Sequence, residues 1–381
     1  MTLTAHDIES LVALRHALHR HPELSGDEHA TADRINDALE GLGCEIITGL
    51  GGAGVAAVFD SGVPGPSVMF RAELDALPIL ETGTPPWRST VAGRGHLCGH
   101  DGHMAILTGL ARLLARDGPV RGRVVLLYQP AEETGAGARA VISDPRFEAL
   151  SCDWAFAIHN MPGVTQGTAW LAPGPVNCAS LGLVLALHGK TAHASEPEAG
   201  ISPAPALARL IPGLTALGPG GAPGPGYRLA TVTHARLGER ALGIAPGWAE
   251  LLVTLRAVDD GGLDRMLEAA SALAQAEADQ AGLRIDYHVE DHFAACHNHP
   301  VATAVLARAL EVAGIPHSPG ALPMRASEDF GLFGTVSKAA MVFLGAGEDH
   351  PALHNPDYDF PDSLISPGVA VFRAITDEIL G

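Results

Sequence analysis

Between residues 96 and 103 the chain reads His96-Leu97-Cys98-Gly99-His100-Asp101-Gly102-His103, which places thiol, imidazole and carboxylate groups within one short segment. These are ligand types for a borderline-soft transition metal. A lone histidine is more often a satisfied core or surface residue, and a lone cysteine a small buried hydrophobe; the cluster points instead to metal. Spacing does not say which histidines bind, and without a second cysteine pair a four-cysteine structural zinc knot is not expected. Glu132 and Glu133, in QPAEETG, are adjacent carboxylates that repel unless positive charge is near. Alone they read equally well as a solvated acidic turn. Beside a metal, one could be a ligand and the other a general base toward metal-bound water, whose pKa falls to about 7 on zinc. His159 in AIHNMPG and His354 in ALHNP each begin a His-Asn turn with proline close behind. With Cys98, His100 and Glu133 they supply enough ligands for two metals about 3.5 to 4 Å apart, a catalytic rather than a structural complement.

The elements that must position these groups read as α/β. Thr4 and Asp7 are spaced as a capping box before Ile8, Leu11, Leu14 and Leu18, and Pro22 stops that helix. A second helix is expected at 27–40, before Gly41 and Gly43, and a third from near Asp101 to Gly118. Apolar runs at 55–59, 67–70, 124–128, 154–158 and 340–344 read as strands buried on both faces, hence a mainly parallel sheet. In such sheets ligands bind beyond the carboxyl ends of strands. Glu73 and Asp75, Glu132 and Glu133, His159 and His354 each follow one of these runs, so one site could collect them all. From 177 to 291 the pattern changes to strand, helix, two strands, helix and strand, the β-α-β-β-α-β order of a ferredoxin-like α+β domain. We therefore expect a discontinuous catalytic domain, 1–176 and 292–381, with an inserted domain at 177–291.

Composition narrows the function classes. The 381 residues are 47% apolar and carry 24 basic against 43 acidic residues, a formal net charge of −19. Nucleic-acid affinity comes from neutralising phosphates with Lys and Arg, so DNA and RNA partners are not expected. Apolar runs fall short of a membrane span, and the first residues show no basic leader followed by an apolar block; a cytoplasmic protein without membrane partners is expected. Five widely spread cysteines do not form a disulfide framework. The nineteen histidines, nearly as many as Lys and Arg together, again favour metal.

The motifs HRHPELS at 19–25, RAELDALPI at 71–79, GHLCGHDGHM at 95–104, YQPAEETGAGA at 128–138, IHNMPG at 158–163, GKTAHASEPEAGISP at 189–203, SEDF at 327–330 and LHNPDYDF at 353–360 occur in order along the chain. Together they resemble the aminoacylase and carboxypeptidase family of metallopeptidases, peptidase family M20. More narrowly they resemble its amidohydrolase branch of hippurate hydrolases and other N-acyl-amino-acid hydrolases. The resemblance implies a dinuclear centre in which Cys98 bridges and His100, Glu133, His159 and His354 complete the shells. It implies two divalent ions, zinc in the first place with manganese, cobalt or nickel as alternatives. Glu132 matches the general base that forms a metal-bound hydroxide and passes the proton on, and Asp75 matches a supporting catalytic carboxylate. The insert matches a lid and dimerisation domain of a homodimer, whose His193 would reach the partner's active site and polarise the substrate carbonyl. Asp101 and His103 are read as supporting or helix-start residues. Two departures stand out: Glu73 occupies a position where the family usually has Asp, and Arg325 precedes SEDF where many relatives have a smaller residue. Arg325 could hold a substrate carboxylate through a bidentate pair. The expected activity is hydrolysis of the amide of a small N-acyl amino acid or related conjugate. A dipeptidase on the same scaffold would need a counter-charge for a free ammonium, which the sequence does not locate. A non-catalytic metal-binding protein would have no need of Glu132.

Overall fold

The structure, a computed structural model, describes residues 2–381. The chain divides into two compact units, one formed by Met1–Val176, Cys296–Leu322 and Asp329–Gly381, the other by Asn177–Ala295 and Pro323–Glu328.

The first unit is built on a sheet that runs, edge to edge, through Glu45–Leu50, Gly54–Asp60, Arg123–Gln129, Ser67–Glu73, Trp154–Pro162, Lys338–Gly347, Ala169–Trp170 and His317–Ser318. The central strands from Arg123–Gln129 to Lys338–Gly347 are mutually parallel. The first two strands add an antiparallel edge. Val124, Val125, Leu126, Leu127 and Tyr128 are all fully buried, which is why this run is apolar without alternation: both faces of the strand are covered. The helices Ala5–Arg20, His100–Arg116 and Ile365–Leu380 pack together on the sheet. Their close approach depends on small residues, since a Cβ at Gly109 would stand 2.5 Å from Val369 Cγ2 and one at Gly368 2.6 Å from Ile106 Cδ1. The Trp154 strand continues past residue 158, because Lys338–Gly347 is long enough to pair Phe343 with His159 and Leu344 with Asn160. His159 therefore projects from the strand itself, with the rigidity that implies.

In the second unit the strands Ala179–His188, Arg228–Leu237, Trp248–Ala257 and Arg284–Phe293 alternate with the helices Ala204–Ala216 and Asp260–Ala281 in the expected β-α-β-β-α-β order. The sheet is antiparallel, with Trp248–Ala257 and Ala179–His188 in the middle and the other two at the edges. Here burial does alternate: Ala249, Leu251, Val253, Leu255 and Ala257 are buried on one face of their strand, and they join Leu210, Leu214, Met266 and Ala270 of the two helices in a separate core. Among the described residues no helix is long and apolar enough to cross a membrane.

The first helix does more than cover the sheet. Thr4 caps it, with the Asp7 amide donating to Thr4 Oγ1 at 3.2 Å and the Thr4 amide donating to Asp7 Oδ2 at 2.8 Å. Near its other end the fully buried Arg15 donates to Asp359 at 2.6 Å and Asp362 at 2.8 Å, with Asp101 at 3.4 Å. His19 lies 2.9 Å from Asp101 and 3.3 Å from Glu81. These pairs tie the first helix to the start of the His100–Arg116 helix, from which the central histidines project. Burial alone would lower the His19 pKa, but Asp101, then Glu81 and Asp359, outweigh it and raise the ring to about 9. A raised histidine stabilises the fold fully below its unfolded pKa of about 6.5, and that contribution fades as pH climbs through 9. We expect His19→Gln to cost on the order of 3 kcal/mol at pH 6 and much less at pH 9.5, as read from urea unfolding at both pH values. An equal loss at both would show that the charge of His19 is not what holds the cluster.

Candidate metal centre

Four chain segments deliver the polar groups to the carboxyl end of the parallel strands. Glu73 is the last residue of its strand and Asp75 follows it; Glu132 and Glu133 lie just beyond Gln129; His159 projects from its strand; His354 lies in the loop after Lys338–Gly347. The fifth contribution comes from Cys98 and the helix that starts at His100.

That helix start can hold only glycine at its cap. Gly99 has φ +95°, and a Cβ there would lie 2.2 Å from Asn160 Oδ1 and 2.8 Å from the Tyr358 hydroxyl. One turn on, a Cβ at Gly102 would lie 2.3 Å from the Phe360 ring. Two glycines thus let the helix N-terminus sink against the strand that carries His159. His100 and His103, three residues apart, then share a face. Non-glycine residues take the left-handed conformation at two turns of the site, Ala131 at φ 52° before Glu132 and His354 at φ 66°. Each is restrained: the Ala131 amide donates to the buried Glu28 carboxylate at 2.7 Å, and the His354 amide donates to the Leu97 carbonyl at 2.8 Å. Strained backbone held by its surroundings is a common feature of functional sites.

The donor atoms converge. Cys98 Sγ is 3.6 Å from His159 Nε2, His100 Nε2 is 3.8 Å from Glu133 and 3.9 Å from Glu132, and His354 Nε2 is 3.5 Å from Glu133. Such separations are close to those of donors that share one ion at bond lengths of about 2.0 to 2.3 Å. Cys98 belongs to two groups whose ligand atoms all lie within 4.8 Å of one another, one with His100 and His159, the other with Glu133 and His354. A third such group joins His100 to Glu132 and Glu133. The imidazoles are oriented by their other nitrogen: His100 Nδ1 bonds to the Asp75 carbonyl at 2.8 Å and His159 Nδ1 to the Asn160 carbonyl at 2.7 Å. This leaves Nε2 of each ring for the centre, the arrangement that metal-binding histidines use. His100 Nε2 is buried without a hydrogen-bond partner. The Asp75 carboxylate accepts from Ser25 Oγ at 2.7 Å and from the Glu133 amide at 2.9 Å, so it holds the acidic turn and the His100 ring together.

The electrostatics of the site is dominated by its carboxylates. Burial would lower His100, but the Asp75 hydrogen bond and the charges of Glu73, Glu133 and Asp75 raise it to about 10. Burial, then Glu133, Glu132 and Glu73, push the Cys98 thiol well above its ordinary range. His159 is lowered to about 3, by burial and then by His103. The carboxylates thus call for positive charge at His100 Nε2 and at Cys98. A divalent ion supplies it, and would turn the reluctant thiol into a thiolate ligand. The donor set fits a metal centre.

Residues that the sequence did not single out complete the surroundings. Gln129 and Arg71 both donate to the buried Asp329 carboxylate, at 2.8 and 2.6 Å, and Arg71 also pairs with Glu73. Asn160 and Tyr358 hydrogen-bond each other, and only their places inside IHNMPG and DYDF could have flagged them. In the second unit, His193 is exposed on the short strand Ala192–His193, with Nδ1 2.7 Å from Ser195 Oγ. Arg325 is exposed and donates to the Gly221 carbonyl at 2.5 Å, while its own carbonyl accepts from Arg256.

The packing at Gly99 sets up a comparison with Gly41, which also has positive φ, +77°, but nothing within 4 Å of its missing Cβ. Both Gly→Ala changes carry the left-handed backbone cost of about 1 to 2 kcal/mol. Gly99→Ala should lose at least about 1 kcal/mol more in urea unfolding, because the methyl collides with Asn160 and Tyr358. Equal losses would contradict the close approach.

Comparison with known proteins gives the same picture. The chain is 30% identical to the hippurate hydrolase of Campylobacter jejuni over 95% of its own length and 94% of that protein. It is 38% identical to an N-acetyl-L-cysteine deacetylase of Bacillus subtilis over 53% of this chain and 49% of that one. Its fold superposes with a TM-score of 0.82 on a Bacillus subtilis protein described as a dinuclear metal binding peptidase from the M20 family, 26% identical, covering 99% of both chains. The family model for peptidase family M20/M25/M40 matches residues 69–378, and the chain belongs to that family of hydrolases.

Proposed function

We propose that this protein hydrolyses the amide bond of N-acyl amino acids or related small conjugates at a centre of two divalent ions that share Cys98. The observation that carries the reading is the place of Cys98 in two overlapping ligand groups, with Glu132 in a third group beside them. Cys98, His100, Glu133, His159 and His354 would hold the ions, and a thiolate with three imidazoles and one carboxylate suits zinc. When bound, the ions lower the pKa of water and polarise the acyl carbonyl.

The protein's own groups then divide the work. The Glu132 carboxylate, 6% exposed, takes the proton of the attacking water and delivers it to the leaving nitrogen, which must be protonated before it can depart. Asp75 keeps His100 and the Glu133 amide in place while this happens. In this reading the Asn177–Ala295 unit is a lid and dimerisation unit; its two edge strands, Arg228–Leu237 and Arg284–Phe293, each have a free edge in their sheet. His193 would polarise the substrate carbonyl in the homodimer. Arg325 would exchange its Gly221 carbonyl for the substrate carboxylate, and the identities to a hippurate hydrolase and an N-acetyl-L-cysteine deacetylase favour an amino-acid product with that group.

Glu132→Gln should keep its metal content, measured by atomic emission, and lose about 100- to 10,000-fold in kcat on a panel of N-acetyl and N-benzoyl amino acids. A variant with near wild-type kcat would remove Glu132 from the proton path. Arg325→Ala should raise KM for the same substrates about tenfold or more, with a smaller change in kcat. An unchanged KM would leave the arginine as a loop contact to Gly221.

A further inference from the structure

We propose that Glu73 and His103 are positioning residues for His159: through Asn160 they fix the tautomer and ring plane of that histidine, and so set the affinity of one of the two metal positions. The inference rests on the dinuclear reading above. His159 Nδ1 meets the Asn160 carbonyl oxygen at 2.7 Å, a contact that makes Nδ1 the donor and leaves the Nε2 lone pair facing Cys98. The orientation of this ring is therefore only as good as the placement of Asn160.

Asn160 is buried, its backbone paired with Leu344 of the next strand and its amide donating to His103 Nε2 at 3.2 Å, and its side chain is held from two sides. Its Oδ1 lies 2.7 Å from His103 Nε2, and its Nδ2 donates to the Tyr358 hydroxyl at 2.5 Å. His103 is held in turn by Glu73, whose Oε2 accepts from Nδ1 at 2.6 Å. The other oxygen of Glu73 pairs with Arg71, which is anchored on Asp329. The His103 ring also stands 4.7 Å from that of His159, edge to face at 66°, so it limits tilt of the ligand ring directly. Every member of this chain of contacts, from Asp329 through Arg71, Glu73 and His103 to Asn160 and Tyr358, is at most 2% exposed. Water cannot replace a partner there. The other group around Cys98 is held by different contacts, the Glu133 amide on the Asp75 carboxylate and the His354 amide on the Leu97 carbonyl, so the effect should fall on the position that His159 serves.

The length of Glu73 matters to this device, because its two oxygens reach Arg71 and His103 at once. A shorter acid would withdraw by about 1.5 Å, one carbon–carbon bond, from at least one of them.

The test is a cobalt titration of the metal-stripped full chain, followed by visible absorption and calorimetry, on wild type, Glu73→Gln, His103→Phe and Tyr358→Phe. His103→Phe preserves the ring contact and removes the ring's hydrogen bonds to Glu73 and Asn160; Tyr358→Phe removes only the hydroxyl that holds Asn160. We expect wild type to take two equivalents, and Glu73→Gln and His103→Phe to bind one of them about 10- to 100-fold more weakly while the other changes less than about threefold. Tyr358→Phe should shift the same equivalent by a smaller factor, which keeps the test alive if His103→Phe does not fold. Nitrogen-15 spectra of the metal-free protein should show His159 with its proton on Nδ1 in wild type and a mixture of tautomers in the variants, a change that a merely structural role would not produce. Two unaltered equivalents in folded variants, or equal weakening of both, would overturn the proposal. A wild type that takes fewer than two equivalents would instead overturn the dinuclear reading, and this inference with it.

Discussion

Buried carboxylates need a counter-charge, and most of this site follows from how that need is met. Glu73, Asp75, Glu132 and Asp329 lie in the interior at or just beyond strand ends, or in the adjoining short helix, in a chain of formal charge −19. An unpaired carboxylate in such surroundings is either neutralised or paired. Arg71 answers two of these, Glu73 and Asp329. Around His100 the protein provides carboxylates on several sides and an imidazole nitrogen with no hydrogen-bond partner, a setting that favours positive charge at that nitrogen. The proposed metal centre would supply that charge, and would account for a thiol placed where its surroundings oppose ionisation.

The second requirement is mechanical. Ligands drawn from residues 98 to 354 must meet within a few ångströms, and the fold achieves this by fixing each on a stiff element or a braced turn. His159 stands on a central strand, and His100 opens a long helix whose start is wedged against Asn160 and Tyr358. Ala131 and His354 accept the left-handed conformation because Glu28 and the Leu97 carbonyl hold their amides. Arg15 and His19 grip Asp101 at that helix start, so the first helix acts as a clamp on the one that carries His100 and His103.

How much of this the sequence disclosed depends on the range of the interaction involved. The grouping of cysteine, histidines and glutamates that the structure brings together was legible because the residue types are themselves the signal, and the β-α-β-β-α-β order because its strand and helix periods are clean. The contacts that brace the site were not, since Arg71 and Asp329 lie 258 positions apart and Asn160 and Tyr358 198 apart, with nothing in either neighbourhood to announce the partner. Ser366-Pro367-Gly368, residue types that favour turns, lies in the first turn of the Ile365–Leu380 helix. There proline costs no hydrogen bond, and glycine admits the Ile106 side chain of the neighbouring helix. The edge strand Glu45–Leu50 is largely exposed and lacks the continuous apolar run that marked the central strands.

The proposed centre requires two ions at one sulfur. Anomalous diffraction from crystals grown with zinc, recorded on both sides of the zinc absorption edge, locates such ions without reference to activity. Two peaks are expected about 3.5 to 4 Å apart, both within bonding distance of Cys98 Sγ, with His100, Glu133, His159 and His354 completing their shells. A single peak, or density held instead by the neighbouring Glu73, His100 and His103 group, would contradict it.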